Sequence, residues 1–426
     1  MKKALLFIVM GCCLGMVVIF WSRLLAGGLP WAAYLYDAGR LLALAGFVLM
    51  TFQYILSSKI RWIEKGIGLD NLFSLHKGCG VLIVVILTGH PLLLLLSERL
   101  QGYSTPLSPF KILGLITLLL VWVTAGAALL YGRIRIPYEA WKGVHRAGYF
   151  ILPLVFFHSI LIGSTLQRGP MRVFWAILAL TYLAVLAGKL RRRFTVRSHP
   201  FEVAAVTQET EDTWGLHFEG NHGDYAPGQF MMLQVKREGR VSEPHPFTIV
   251  SSPSRKGLSI CAKSVGDFTS TLGKTRLSEP AYIDMPFGVF SFLHHDAERL
   301  VFIAGGIGIT PFMSMLRYIR DRKLRREVIL LWANKTEKDI AFRAELEKMA
   351  SEMTSLKVVH ILSRQGNWAG EKGRINADTL KKHVGDFEKG EFFVCGPPQM
   401  MTDIQKILAD LGVSKKRIHT ERFALR

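Results

Sequence analysis

Residues 76–97 read HKGCGVLIVVILTGHPLLLLLS: a histidine and a lysine, then twenty residues without a charge, with a second histidine, His90, inside them. A helix crosses the hydrocarbon core of a bilayer in about 20 apolar residues. Five further stretches follow the same pattern: Ala4–Ser22, Leu41–Ser58, Ile112–Gly132, Ala147–Gln167 and Val173–Gly188. Six such runs within the first 193 residues do not suit a bundle of soluble helices. They predict a six-helix membrane domain.

The charge balance agrees once it is located. The chain has 426 residues, half of them hydrophobic, with 53 Lys and Arg against 33 Asp and Glu, a net charge of +20. Such an excess reads as nucleic-acid binding when it lies on a soluble face. Here residues 1–193 carry +15 and residues 194–426 only +5. The excess sits in the apolar half, so the expected contact is membrane lipid and no nucleic acid. Fourteen basic residues fall in the segments on the side of the N-terminus and six in those on the other side. By the positive-inside rule both termini are expected in the cytoplasm of a multi-pass plasma (bacterial inner) membrane protein. The first run resembles a signal peptide, but five spans follow it without a convincing cleavage site, so it reads as the first span. The five cysteines, Cys12, Cys13, Cys79, Cys261 and Cys395, are scattered and suggest neither a disulfide framework nor a zinc or iron–sulfur motif.

Every histidine among the first 190 residues lies in or beside a span: His76 and His90 on the third, His145 and His158 on the fifth. Ionisable groups in a span are costly and mark function. The third and fifth spans run in the same direction, so His76 pairs in level with His145 and His90 with His158. Each pair suits axial ligation of one haem iron, and the two levels lie about 20 Å apart at 1.5 Å per residue. The separation of 14 residues on the third span returns to the same helix face, whereas 13 on the fifth falls about 140° short. Pro153, between His145 and His158, predicts a local distortion that restores the alignment.

After Arg193 the composition changes to short strand-like runs with Gly/Pro turns, then to alternating strands and helices. The expected domains are 1–193, a six-helix transmembrane bis-haem bundle, 194–296, an antiparallel β-barrel, and 297–426, a doubly wound α/β domain. In the last, the strand Leu300–Ala304 runs into Gly305-Gly306-Ile307-Gly308-Ile309-Thr310-Pro311, a turn that lets backbone approach a pyrophosphate.

These segments carry a resemblance. His245-Pro246-Phe247-Thr248 followed by Ser251-Ser252-Pro253 resembles the flavin-binding segment of the ferredoxin-reductase-like family, in the form found in its NADPH oxidase and ferric reductase branch. Val265-Gly266-Asp267-Phe268-Thr269 is similar to that family's flavin-phosphate loop. The Gly305–Pro311 turn and Val394-Cys395-Gly396-Pro397-Pro398 resemble its nicotinamide-binding segments, and the histidine spacings match the bis-haem pattern of the branch. The resemblance implies FAD, two b-type haems and NADPH or NADH as cofactors. It implies that Thr248 bonds the reactive edge of the flavin with His245, Pro246, Phe247 and Ser251 around it, and that Gly266, Phe268 and Thr269 hold its phosphates. Gly305, Gly306, Gly308 and Thr310 would hold the nucleotide pyrophosphate, with Cys395, Gly396 and Pro397 beside the nicotinamide. Phe423 would cover the flavin until the nicotinamide displaces it.

The implied activity is an NAD(P)H oxidase passing electrons across the membrane to O2 and releasing superoxide on the outer face. Two alternatives share the relay: a ferric (metal-chelate) reductase, and a membrane electron-transfer subunit serving a partner protein. Arg40, at the outer end of the second span, resembles an arginine placed at the oxygen site of eukaryotic oxidases. Leu94, four residues after His90, stands where those oxidases have another histidine. Lys335 and the Ser363-Arg364 pair follow strands where a 2′-phosphate would lie, which favours NADPH. No EF-hand loop or basic regulatory extension is read, so activity without an obligate regulatory subunit is expected.

Overall fold

The computed structural model describes residues 2–421 other than 24, 26, 27, 29, 132–137 and 168. It separates into two compact units, Met1–Arg192 and Arg193–Arg426.

The first unit is helical: α1 Lys2–Ser22, α2 Trp31–Leu56, α3 Arg61–Ile67, α4 Leu69–Leu100, α5 Pro109–Leu130, α6 Tyr138–Arg146, α7 Ile151–Ile162 and α8 Gly169–Ser198. Six helical stretches among the described residues are long and apolar enough to cross a membrane, with α6 and α7 together forming the fifth. This is a multi-pass membrane protein. The organising helix is α2, where 56% of the apolar window is buried inside the protein against 6% for α4. Its Phe47 stacks on Trp175 of α8 with ring centres 4.5 Å apart. Gly39 and Gly46 lie on the α2 face toward α4, where a Cβ would run into Leu94 and Leu87 respectively. Between apolar spans such small residues allow the close approach that dispersion rewards.

Two features depart from simple spans. The helix of the second span begins at Trp31, ten residues before the uncharged run, and so contains Asp37 and Arg40. The two side chains neutralise each other at 2.8 Å, which lets the helix carry both inside the apolar layer. In the fifth span a 3₁₀ turn, Ala147–Phe150, separates α6 from α7. At about 120° per residue instead of 100°, four such residues shrink the 140° mismatch between His145 and His158 to roughly 60°. Pro153 has no N–H to offer the Tyr149 carbonyl four residues back. The Tyr182 hydroxyl of α8 donates to that carbonyl instead, at 2.6 Å, and the Tyr54 hydroxyl of α2 donates to the Gly148 carbonyl at 2.5 Å. The break is therefore held from two sides. α4 packs along α2, and α7 along α5.

The second unit opens with a seven-stranded antiparallel sheet: β1 Phe201–Thr210, β2 Thr213–Glu219, β3 Phe230–Arg237, β4 Arg240–Val241, β5 His245–Thr248, β6 Leu258–Lys263 and β7 Pro280–Phe287. Burial along β7 alternates strictly, the period-2 signature of one wet and one packed face. The order is β4-β3-β7-β1-β2-β6, with β5 paired to β3 and also lying against β6, so the ends of the sheet approach each other. Leu216, Phe218, Met231, Leu233 and Ile260 fill the inside.

An α/β domain follows: β8 Arg299–Gly305, α9 Thr310–Asp321, β9 Glu327–Asn334, α10 Arg343–Glu352, β10 Leu356–Leu362, β11 Glu371–Lys372, α11 Ala377–Val384, β12 Gly390–Cys395, α12 Pro398–Asp410 and β13 Ile418–Glu421. All its strands are parallel, in the order β11-β10-β9-β8-β12-β13. Continuous burial of Leu300–Gly305 reflects coverage on both faces. Phe302, Phe312 and Leu316 belong to the core on one face, Val301, Leu380 and Ile404 to that on the other.

Tyr182→Phe removes only the hydroxyl and leaves the Tyr149 carbonyl without its donor. The expected cost is about 1–3 kcal/mol, read as a lower thermal midpoint in detergent. An unchanged midpoint would show that the break at Pro153 does not need this bond.

Candidate functional site

Three of the four membrane histidines use Nδ1 in the same way. His90 Nδ1 bonds the Gly39 carbonyl of α2 at 2.9 Å, His158 Nδ1 the Phe110 carbonyl of α5 at 2.8 Å, and His76 Nδ1 the Gln53 carbonyl at 3.3 Å. A carbonyl only accepts, so Nδ1 carries the proton and Nε2 keeps its lone pair. Metal-ligating imidazoles are held by this kind of outer bond, which fixes both tautomer and ring orientation. The Gln53 side chain returns a bond from Nε2 to the His76 carbonyl at 3.0 Å, locking α2 to α4 at that level. His145 differs: its Nδ1 is buried without a bond of normal geometry.

The rings of His76 and His145 lie with centres 6.1 Å apart at 77°. Two metal–nitrogen bonds of about 2 Å, plus the ring radii, require roughly 6 Å between imidazole centres sharing one ion. The observed distance between the two ring centres, across the gap between α4 and α6, matches that requirement. His158 is turned onto α5, where Gly114 leaves the space that its ring fills and a Cβ there would collide with it. Gly39 and Gly114 thus position histidines, a role their sequence surroundings did not signal.

Arg40 lies beside Gly39 and therefore level with His90. It does not reach for headgroups: its guanidinium donates to Asp37 at 2.8 Å and to the Thr165 hydroxyl at 2.6 Å, while its Nε is buried without a partner. Asp37 and Thr165 were not singled out from the sequence. The only hint was an acid three residues before a base on one helix.

In the antiparallel domain β5 brings His245, Pro246, Phe247 and Thr248 alongside β3. His245 stacks on Phe268 with centres 4.0 Å apart, Phe247 lies 6.0 Å from the same ring, and the Arg237 guanidinium sits 5.9 Å above it. Thr248 is buried at the end of the strand. The Thr269 hydroxyl accepts from the Val265 and Gly266 amides, both at 3.0 Å, so it shapes the loop that the sequence suggested for phosphates. Ser251 is committed to packing: its carbonyl accepts from Tyr225 at 3.0 Å and from Ser314 of α9 at 2.8 Å, and its hydroxyl accepts from the Ser259 amide. These bonds tie the antiparallel sheet to α9.

In the α/β domain the strand order reverses between β8 and β12, the crevice where such sheets bind ligands. Gly305–Gly306 leaves β8 and Cys395–Gly396 leaves β12 there. A Cβ on Gly305 would strike Met400 and Pro397, one on Gly396 would lie 3.1 Å from Gly305, and one on Gly308 would strike the Cys395 carbonyl. These three glycines press two turns together. Gly306, with φ +52 and open space around it, is the one free to approach a ligand. The Thr310 hydroxyl donates back to the Ile307 carbonyl at 3.1 Å. The loops after β9 and β10 are zipped by Ser363 N to Asn334 O at 3.0 Å and Arg364 N to Lys335 O at 2.8 Å, which brings exposed Lys335, Ser363 and Arg364 together. Gly306, Ile307, Asn334 and Lys335 line a cavity of about 50 Å³. Both polar atoms of the buried Asn334 side chain are unpartnered, a site residue that the sequence reading missed. Phe423 lies outside the described residues.

Comparison with known proteins agrees domain by domain. The family described as "Ferric reductase like transmembrane component" matches residues 42–156, "FAD-binding domain" residues 198–310, and "Oxidoreductase NAD-binding domain" residues 302–406. A glycine betaine monooxygenase reductase subunit of Pseudomonas aeruginosa is 32% identical over 53% of this chain and 64% of its own length. An NADH-cytochrome b5 reductase 1 of Mortierella alpina is 30% identical over 44% and 65%. The chain thus spans less than two thirds of the length of either relative. A ferredoxin NADP+ reductase from Neisseria gonorrhoeae with bound FAD and NADP superposes with a TM-score of 0.48 at 20% identity, over 53% of this chain and 98% of that one.

Burial, and then the charge of Glu421, holds the Cys395 thiol well above the ordinary range; burial does the same for Cys261. Both should stay unlabelled by a maleimide at pH 8 until denaturant is added, because the thiolate is the reactive form. Labelling of Cys395 at the rate of a free thiol would mean that the β8–β12 crevice opens.

Proposed function

We propose that this chain, whose three successive domains have the NADPH oxidase and ferric reductase architecture, is a superoxide-forming NAD(P)H oxidase. It would carry electrons from cytosolic NAD(P)H through FAD and two b-type haems, held by His76/His145 and His90/His158, to O2 at the outer face. The membrane electron-transfer domain and its FAD/NAD reductase module are established by the matched families; haem, acceptor and orientation are part of the reading. One observation carries it: histidines whose Nδ1–H groups are spent on backbone carbonyls, which leaves Nε2 lone pairs in an apolar layer with nothing else to do. Flavin supplies the exchange between a hydride's two electrons and single-electron carriers, and haem iron supplies those carriers.

The chain's own groups have defined tasks in this reading. Thr248 bonds the reactive edge of the flavin, and the cluster of His245, Phe247 and Phe268 packs around it. Gly306 admits the nucleotide pyrophosphate and Asn334 binds the adenosine ribose, while Lys335 and Arg364 meet a 2′-phosphate. Cys395, kept as a neutral thiol, packs beside the nicotinamide. Arg40 stands at the His90 level as the cation nearest the acceptor.

A second reading rests on the relatives. The Pseudomonas protein is a reductase subunit, and a further relative from Rhodococcus rhodochrous, 30% identical, is the ferredoxin reductase component of a 3-ketosteroid-9-alpha-monooxygenase. Those roles favour a protein acceptor here and weigh against the expectation that no further subunit is required.

The deciding experiment uses the purified chain loaded with haem and FAD. NADPH added without oxygen should reduce the haem, and admitted air should give dismutase-sensitive cytochrome c reduction. Haem reduction followed by slow, dismutase-insensitive reoxidation would replace O2 by a metal or protein acceptor. Gly114→Ala should displace His158 and halve the haem content from two per chain to one; two retained haems would remove His158 from ligation. Arg364→Ala should raise KM for NADPH at least about tenfold while leaving NADH unchanged, and equal effects would take it out of the 2′-phosphate site.

A further inference from the structure

A cluster of titratable side chains in the second unit is used by none of these roles. We propose that His295, Glu391 and His419 form a binding site for one divalent transition-metal ion, with Zn²⁺ as the probe. One ligand atom from each of the three lies within 4.8 Å of the other two. The His295 and His419 rings are in contact, with centres 3.8 Å apart, and His419 Nε2 lies 2.5 Å from Glu391 Oε2.

The sheet builds this arrangement. β12 and β13 are parallel neighbours in which Phe393 stands opposite His419. Side chains alternate along a strand, so Glu391, Phe393 and His419 share one face. His295 comes down on that face from the segment between β7 and β8. Phe393 forms an apolar floor, its ring 5.7 Å from His295 and 4.8 Å from His419.

The donor set favours an ion over a plain hydrogen-bonded pair: two imidazoles and a carboxylate take zinc and its neighbours, leaving positions open for water. With metal–ligand bonds of about 2 Å, tetrahedral ligands stand roughly 3.4 Å apart, which small rotamer changes would reach from the present spacing.

The site is separate from the nucleotide crevice. Glu391 lies four residues before Cys395 on the same strand, about 13 Å away. An ion here would pin the edge strand β13 to the segment joining the two soluble domains. β13 also leads in sequence toward Phe423, so the ion would tether the strand before the aromatic expected over the flavin.

The test uses the full FAD-loaded chain after EDTA treatment, titrated with Zn²⁺ by calorimetry, with the thermal midpoint of FAD release as a second readout. The wild type should bind one equivalent that His295→Ala and His419→Gln weaken at least about tenfold, and zinc should raise the midpoint in the wild type alone. The glutamine can still donate to Glu391, and retained FAD shows that the variants fold. Equal zinc binding by wild type and both variants, or no binding by the wild type, would overturn the proposal.

Discussion

An imidazole placed among hydrocarbon has one N–H that must be satisfied and one lone pair that must be left free if the ring is to serve a metal. Three of the four membrane histidines meet the first demand with a backbone carbonyl, which keeps the lone pair on Nε2. In a helix, carbonyls are already bonded, but an oxygen has two lone pairs and can accept again from the side. Gly39 and Phe110 are reached in this way by His90 and His158, and Gln53 by His76. Reaching a neighbouring backbone requires close helices, hence the glycines of α2 facing α4 and Gly114 beneath His158. The histidines therefore determine where α2, α4 and α5 must be thin.

The same need for close backbone approach governs the nucleotide domain, for a different reason. At the crevice between β8 and β12 two turns leave neighbouring strands side by side. Gly305, Gly308 and Gly396 remove the side chains that would hold those turns apart. A glycine-rich turn after a strand is usually read as a phosphate cradle. Here most of its glycines serve turn-to-turn packing, and one, Gly306, is left open.

Much of the fold was legible because its signals were long. Six uncharged runs gave the spans, and short strand-like runs with Gly/Pro turns giving way to alternating strands and helices separated the antiparallel from the α/β domain. What escaped the sequence was short or reciprocal. The start of α2 was hidden because Asp37 and Arg40 look like two charges that end a span, and only their 2.8 Å pairing makes them tolerable inside one. The 13-residue spacing of His145 and His158 pointed to Pro153, yet the re-registration occupies the 3₁₀ turn before it, and the hydroxyls that hold it, Tyr54 and Tyr182, sit on distant helices. Asn334 was invisible because an asparagine at a strand end is ordinary until both its polar atoms are found buried and unpartnered.

The Arg40 pair bears on the electrostatics at the level of His90. A lone guanidinium there would present a full positive charge to an anionic product in a low-dielectric setting, where such a charge acts strongly. Asp37, itself buried, cancels most of that field at a distance, and the bond to Thr165 spends a further donor on the turn before α8. What remains is a short-range dipole with one uncommitted edge, the buried Nε. Under the proposed function, such a group would discriminate by contact and not by charge: it would orient an acceptor that reaches it without drawing anions from solution, so selection beside His90 would be a matter of shape.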